Sequence, residues 1–182
     1  MASAIVTDKA ADNDPPRKRP STRRYGEPGS AGPKLYLGFN PVPPNVHVRP
    51  VAVADLDPVW PGIVADDLNP QSDGEWFAAF DAAEMVGAAH LVRVGSDELF
   101  DDLWVRPDRR RTGVGRVLVT EMQKLRQNLW LIADPDGVAY YEKFGFQVEK
   151  TLPSAIAKRY EALGLWPGHL DHLHIAMRWK RD

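Results

Sequence analysis

The chain of 182 residues contains no cysteine. Disulfide bonds, thiolate metal sites and cysteine nucleophiles are therefore excluded. No apolar run approaches the roughly 18 residues that span a bilayer, and the opening MASAIVTDKAADND has neither the basic start nor the apolar stretch of a secretory signal. The formal net charge of −2 gives no strong attraction to nucleic acid or membrane. We expect a soluble, cytoplasmic protein with no nucleic-acid or membrane partner.

The first 45 residues differ in composition from the rest. They hold eight of the 16 prolines, and seven basic residues against four acidic ones. Few apolar groups are present to offset the entropy of ordering. The composition predicts a disordered, proline-rich tail over 1–45 and one folded domain over 46–182. KLYLGF at 34–39 is the one stretch of the tail that is a candidate for docking on the domain.

Alternating and β-branched stretches predict strands along the domain. They are VHVRPVAV (46–53), WFAAFD (76–81), MVGAAHLVRV (85–94), ELFDDLWV (98–105), LWLIAD (129–134), FQVEK (146–150) and HLHIAMRW (172–179). The second and third favour an antiparallel hairpin, with a helix over the alanines of 78–83 as the open alternative. LWLIAD is apolar throughout, which is typical of a strand covered on both faces.

Helices are predicted between these strands. A short one follows the first strand, with Asp55 as its N-cap and Pro61 as a break or kink. After Gly113, five apolar residues share one helical face: Val114, Val117, Leu118, Met122 and Leu125. Two further helices are predicted over 135–141 and 154–165. The order indicates a mixed α/β domain with a mostly antiparallel front and a β-α-β crossover behind.

RRRTGVGRVL, at 109–118, joins three arginines to a glycine-spaced helix start. A helix N-terminus leaves its first N–H groups unpaired and carries about half a positive charge. Gly113 and Gly115 have no side chain to keep an oxygen anion from these amides. Leu118 stands where a dinucleotide-binding turn has its third glycine, and the Walker spacing is absent. The turn predicts a diphosphate site, with an ordinary glycine turn as the alternative.

The flanking charge supports the diphosphate interpretation. Between Arg106 and Arg116 there are five arginines and one aspartate. Arg110, Arg111 and Arg116 can add charge-assisted hydrogen bonds to an anion. Nucleic acid is a less favoured partner, because the aromatic residues that single-strand binders interleave with their arginines are missing here.

Two segments resemble the GCN5-related N-acetyltransferase (GNAT) superfamily. LWVRPDRRRTGVGRVL is similar to its acyl-CoA-binding motif, with matches at Val105, Pro107, Arg110, Gly113 and Gly115. ADPDGVAYYEKFGF is similar to its second signature, with matches at Tyr141, Glu142, Lys143, Gly145 and Phe146. Asp134 departs from the asparagine that the family often has before this helix. The resemblance implies a mostly antiparallel central sheet with flanking helices, in which the fourth and fifth strands splay apart.

The resemblance also implies an activity: N-acetyltransfer from acetyl-CoA to a primary amine by direct attack. The amine is more readily a small molecule than a protein, and family members are often homodimers. The residues implied to hold the diphosphate are Arg110, Arg111, Thr112, Gly113, Val114, Gly115 and Arg116. Those implied to position the thioester through the main chain are Leu103, Trp104 and Val105. A non-catalytic module that binds CoA or a partner is the alternative function.

The proton-transfer groups are less well defined. The resemblance implies that Tyr141 is the general acid, and its usual pKa near 10 suits a donor; the alternative is that it packs while Tyr140 is exposed, or the reverse. Strand alternation puts Asp101 and Asp102 on opposite faces of their strand. Either is a candidate base, and both could instead be solvated charges at the strand end. His90 is a weaker candidate.

GHLDHLHIAM near the C-terminus also contains residue types that bind zinc. They are His169, Asp171, His172 and His174. Surface histidines on a closing strand are the favoured interpretation, so no metal is expected. Trp166 and these histidines could instead line the pocket for the acceptor.

Overall fold

The computed structural model describes residues 45–66, 71, 73–162 and 174–182. The predicted tail lies outside these residues except for Asn45, and so does the candidate docking stretch at 34–39. The boundary between tail and domain therefore stays a prediction. No helix of the described part has the length and apolar character that crossing a membrane requires.

Within the described residues, seven strands form one sheet in the order β1-β2-β3-β4-β5-β7-β6. The strands are β1 Val46–Val51, β2 Glu75–Asp81, β3 Glu84–Val94, β4 Asp97–Val105, β5 Asn128–Ala133, β6 Gln147–Val148 and β7 Ile175–Lys180. β4 and β5 are parallel, and the other neighbours are antiparallel. The predicted mixed α/β fold is confirmed.

Four α-helices in the described part of the chain flank the sheet: α1 Trp60–Ala65, α2 Val114–Leu125, α3 Pro135–Glu142 and α4 Ser154–Ala162. α2 connects β4 to β5 and forms the predicted crossover. Pro61 does not break α1 as predicted, because it lies in the first turn of the helix, where no intrahelical N–H bond is needed. Asp55 is not a helix N-cap either. It lies within a short 3-10 turn, and its carboxylate accepts the Ala52 N–H at 3.0 Å.

The hairpin prediction is confirmed over the helical alternative at 78–83. β2 and β3 pair from Glu75 opposite Leu91 to Asp81 opposite Glu84. Ala82 makes the turn in the left-handed region, with φ of 53°. Every residue from Trp76 to Phe80 is buried, which explains why alternation was weak there: both faces of β2 are covered.

The helices divide between the two faces of the sheet. α2 and α3 cover what we call the front face, where Phe77, Leu91, Phe100, Leu129 and Leu131 meet Leu118 and Met122 of α2. α1 covers part of the back face, where Leu56 and Ile63 meet Trp76 and Trp104. α4 covers another part of the back face, where Ile156 and Tyr160 meet Val92, Leu99 and Trp130. In α2, Val119 is buried and the predicted face residue Leu125 is 48% exposed.

Candidate functional site

β4 and β5 separate near the middle of the sheet. Their register joins them at one pair within the described strands, Leu99 with Trp130. The main chain of β4 beyond this pair runs to Val105, and the chain then turns through Pro107–Arg109 into α2. Val105 lies close to Gly115 of the first turn of α2, since a Cβ built on Gly115 would be 3.6 Å from its Cγ2. The start of α2 therefore lies at the open end of the gap.

Two residues of the turn before α2 have a left-handed backbone conformation. Gly113 is the N-cap residue with φ of 97°, and no side chain caps the helix there. Arg111 also has positive φ, at 64°. Glycine adopts this region without the steric penalty that a Cβ brings. The glycine spacing seen in the sequence thus has a local cause, and the first amides of α2 are not served by a capping side chain.

Several arginines of the turn are paired with carboxylates. Arg106 binds Glu84, and its Nε donates to Asp108 at 2.7 Å. Arg109 binds Asp81 at 2.9 Å. The Arg106 guanidinium lowers the pKa of both Glu84 and Asp108. The acidic residues come from the β2–β3 hairpin as well as from the turn, so the positive charge counted along the sequence is partly neutralised in the fold.

The Arg110 side chain bonds to a residue of the back-face side and does not extend away from the turn. Its guanidinium binds Asp66, which follows α1, and its Nε donates to the Val105 carbonyl at 3.0 Å. Trp104 donates its indole N–H to the same Asp66 oxygen at 2.9 Å. Asp66 therefore links the end of α1 to the end of β4 and to the turn.

Both tyrosines of α3 lie on the front face. Tyr141 packs edge-on against Phe100 of β4 and Phe146, with ring centroids 6.4 Å and 5.8 Å away. The Tyr140 hydroxyl lies beside Gly115, where it would be 2.7 Å from an added Cβ. Burial raises the pKa of both phenols. Both are therefore neutral hydrogen-bond donors at physiological pH, and the position of Tyr140 beside α2 was not foreseen from the sequence.

A β-bulge in β4 changes where the two aspartates point. His90 of β3 pairs with Asp102, Leu91 pairs with Phe100, and Asp101 is the extra residue between them. An extra residue interrupts the alternation of side chains. Both carboxylates consequently lie within 3.8 Å of the His90 ring. The expectation that they occupy opposite faces is wrong, and they share the back face.

His90 is fully buried between these carboxylates. Its Nδ1 lies 3.2 Å from Asp102 Oδ2 and 3.8 Å from Asp101 Oδ2, and its Nε2 contacts the Asp73 carbonyl. Trp76 stacks on the ring with centroids 4.6 Å apart. Burial acts to lower the pKa of His90, but the hydrogen bonds to Asp102 and the Asp73 carbonyl, together with the negative charges of Asp102 and Asp101, raise this pKa above its usual value.

α4 contributes two side chains to the same cluster. Tyr160 donates its hydroxyl to Asp101 Oδ1 at 2.7 Å, and Arg159 donates to Asp101 Oδ2 at 3.0 Å. Arg159 also holds both oxygens of Asp73, at 2.7 and 3.1 Å. This hydrogen-bonded guanidinium lowers the pKa of Asp73. We call these residues, with the two carboxylates of β4 and their histidine, the back-face cluster: Asp73, His90, Asp101, Asp102, Arg159 and Tyr160.

The back-face cluster includes a histidine and two aspartates close enough to share a metal ion. The hydrogen bonds within the cluster do not suit a metal ion. Both oxygens of Asp101 already accept from α4, and the Arg159 guanidinium would repel a cation bound there. Three residues of the predicted C-terminal metal alternative, His169, Asp171 and His172, lie outside the described residues, as does Trp166. The Nε2 atom of His174 lies 3.8 Å from Asp134 Oδ1.

Sequence reasoning proposed Asp101 and Asp102, with His90 as a weaker candidate, but missed the other members of the cluster. Asp73 lies in a loop, and Arg159 and Tyr160 are adjacent polar residues of a short helix, so no periodic pattern singles them out. His90 lies in an otherwise apolar stretch, GAAHLV. A histidine in a strand buried on both faces was the one usable signal, because such a side chain needs a polar partner.

Residues 72–148 match the acetyltransferase (GNAT) domain. This stretch, which runs from just before β2 to the end of β6, is similar to a GNAT domain. Over 82 residues it is 33% identical to the PanD regulatory factor of Salmonella typhimurium, an alignment that covers 44% of this chain and 65% of that protein.

Solved structures with the same fold share little sequence with the chain. N-acetylglutamate synthase of Neisseria gonorrhoeae, solved with coenzyme A and N-acetyl-glutamate, has a TM-score of 0.57 at 17% identity, over 74% of this chain and 35% of that one. A GNAT acetyltransferase of Elizabethkingia anophelis, solved with acetyl-CoA, has a TM-score of 0.53 at 16% identity, over 76% of this chain and all of its own. The fold, including the parallel β4–β5 pair, is that of the GNAT acetyltransferases.

Proposed function

We propose that the chain is an N-acetyltransferase that moves acetyl from acetyl-CoA to a primary amine by direct attack. The observation that carries the proposal is the uncapped, glycine-lined start of α2 at the open end of the gap between β4 and β5. Similar structures were solved with CoA or acetyl-CoA, and two sequence signatures of the family flank this gap.

The diphosphate of acetyl-CoA is assigned to the turn from Arg110 to Arg116. A helix N-terminus with unblocked amides attracts an oxygen anion through both hydrogen bonds and the helix dipole. Because Arg110 is tied to Asp66 and Val105, the amides of Thr112, Gly113, Val114 and Gly115 carry more of this role than the Arg110 side chain does. This assignment makes main-chain geometry more important than local positive charge.

The thioester is assigned to the gap itself. Acetyl-CoA supplies the activated acetyl group. The main chain of Leu103, Trp104 and Val105, beyond the last pair with β5, positions the thioester and offers N–H groups toward the carbonyl oxygen. Loss of one such donor in an acyl-transfer site typically lowers the rate by about 10²–10³-fold.

Proton transfer is assigned to groups on opposite faces of the sheet. Tyr141 on the front face is the proposed acid that meets the departing thiolate, and burial keeps its phenol protonated. Asp101 and Asp102 on the back face are the proposed source of a base for the incoming amine. CoA and the amine would then approach the gap from different sides of the sheet.

An amine panel tests the proposal. Thiol release from acetyl-CoA is measured with glutamate, spermidine, a peptide that begins with alanine, and a lysine side chain. We expect release with at least one amine, and a fall of about 10²-fold or more in kcat for Tyr141→Phe with acetyl-CoA affinity unchanged. The melting temperature of Tyr141→Phe, compared with that of wild-type protein, controls for an effect on folding.

A second candidate is a regulatory module that binds acetyl-CoA without turnover. The similarity to a protein named as a regulatory factor favours it. Under this alternative, calorimetry detects acetyl-CoA binding while no amine of the panel releases thiol. That combination of results would replace the first proposal with the second.

A further inference from the structure

The two carboxylates of the back-face cluster are not equivalent. Each oxygen of Asp101 already accepts a hydrogen bond from α4, one from Tyr160 and one from Arg159. Asp102 has its Oδ2 toward His90, and the described residues supply no hydrogen bond to its Oδ1. Asp102 is therefore the carboxylate of the pair with an oxygen open to a substrate proton.

His90 is oriented so that it can take a proton on one particular nitrogen. The Asp73 carbonyl is only an acceptor, so the Nε2 that contacts it carries hydrogen in either charge state. Nδ1 is then the nitrogen that gains or loses a proton, and it faces Asp102 Oδ2 at 3.2 Å. A proton on this line forms a charge-assisted hydrogen bond, and without it two lone pairs face each other.

We propose that His90 stores the proton that Asp102 takes from the acceptor ammonium, so that the two residues act as one base. This inference rests on the proposed acetyl transfer. Asp102 is the catalytic residue, because it meets the amine, and His90 is a positioning residue that acts through Asp102. Asp101, held in place by α4, supplies the nearby negative charge that stabilises the imidazolium.

The proton step balances without any further reactant. The N–H bond of the ammonium breaks, and its electron pair stays on nitrogen as the nucleophilic lone pair. The proton passes to Asp102 Oδ1, and rotation of the carboxyl group then delivers it to Nδ1 of neutral His90. Asp102 is again a carboxylate, His90 is an imidazolium, and the total charge is unchanged. Nδ1 then donates a hydrogen bond to Asp102, and Nε2 donates one to the Asp73 carbonyl.

The groups packed around His90 favour this end state. β4 contributes Asp101 and Asp102, and the loop before β2 contributes the Asp73 carbonyl and carboxylate. α4 contributes the positive charge of Arg159 and the neutral Tyr160, but both are bound to Asp101. β2 contributes the uncharged ring of Trp76. Three carboxylates against one guanidinium leave a net negative surrounding for the imidazolium.

Histidine NMR tests proton storage independently of turnover. In the full chain labelled with ¹⁵N-histidine, loss of one signal set in His90→Gln assigns His90 among the five histidines. We expect Nε2 to stay protonated throughout and Nδ1 to lose its proton above pH 6.5, the ordinary histidine value. Asp102→Asn should move that titration to lower pH by about 1–3 pH units. Asp57→Asn, an exposed aspartate beside α1, should leave it in place.

Kinetics test whether the stored proton matters for catalysis. With the amines of the panel above as acceptors, kcat/KM for thiol release should rise with pH through the same transition that NMR assigns to His90. His90→Gln should move this rise to lower pH and reduce kcat by about 10²-fold, with acetyl-CoA affinity retained. The ionisation of the amine itself contributes equally to both proteins and cancels in the comparison.

The possible failures are distinguishable. If His90→Gln keeps the wild-type pH profile, or if Nδ1 never binds a proton between about pH 5 and 9, proton storage is wrong while acetyl transfer stands. If wild-type protein binds acetyl-CoA but releases thiol with no amine, the proposed function is wrong, and the catalytic step assigned to Asp102 and His90 falls with it.

Discussion

The Tyr140 hydroxyl of α3 lies against the main chain of Gly115 in α2. A Cβ on Gly115 would approach this oxygen to 2.7 Å, closer than real Cβ contacts come, but would be 3.7 Å from the ring carbon that bears it. The Tyr140 oxygen thus occupies the space that an alanine methyl group at position 115 would need. The contact fixes how closely α3 approaches the start of α2.

The sign of the change in unfolding free energy caused by Gly115→Ala tests this contact. In the wild-type background we expect a loss of about 1–3 kcal/mol in the free energy of unfolding, because the added methyl overpacks the site. In the Tyr140→Phe background the clash is removed, and alanine should instead stabilise α2 by about 0.5–1 kcal/mol. Chemical denaturation of the four proteins gives both values. Equal effects in the two backgrounds would contradict the contact.

Gly113 should have two roles that substitutions can separate. Its φ of 97° makes Gly113→Ala unfavourable by about 1–2 kcal/mol, whereas asparagine tolerates this region better. We therefore expect Gly113→Asn to retain most of the melting temperature. If the amides of the turn bind the diphosphate, the asparagine side chain should still weaken acetyl-CoA binding by at least tenfold in calorimetry. If a folded Gly113→Asn protein binds acetyl-CoA normally, the assignment of the diphosphate site to this turn is wrong.

His90 should make stability depend on pH. Its pKa is raised in the folded protein above the ordinary value of 6.5, so its stabilising contribution is fully present below pH 6.5 and is lost as pH rises through the folded-state pKa. The free energy of unfolding should therefore fall over this window in wild-type protein, and the fall should be smaller in His90→Gln. Urea denaturation at a series of pH values measures the difference. Identical slopes would show that His90 does not gain a proton in the folded state.

Arg159 should matter more for stability than an exposed arginine. Its side chain is 17% exposed and binds Asp73 and Asp101, whereas the side chain of Arg93, which pairs with Glu98, is 75% exposed. Arg159→Ala leaves buried negative charge without its partner and should lower the free energy of unfolding by about 2 kcal/mol. Arg93→Ala should change it by about 0.5 kcal/mol or less. Similar losses from the two substitutions would mean that Arg159 is not a key member of the cluster.

The sequence predicted most of the fold because its local signals agree. The alternation of β1, the glycine-initiated face of α2 and the two family signatures each reflect short-range geometry. Pro61 was misread because the same residue breaks a helix in its interior and starts one in its first turn. The back-face cluster could not be assembled in advance, because Asp73, Asp101 and Arg159 are brought together only by the placement of α4 on the sheet.

Adjacent identical residues at the bulge of β4 give this strand an unusual tolerance to length change. The bulge accommodates one residue more than β3 needs, so loss of one codon for aspartate leaves Phe100, Leu103 and Trp104 on their present sides of the sheet. Loss of either Asp101 or Asp102 yields the same Phe-Asp-Leu sequence. Evolution could therefore convert a two-carboxylate version of this domain into a one-carboxylate version through one in-frame deletion, with the hydrophobic layers undisturbed.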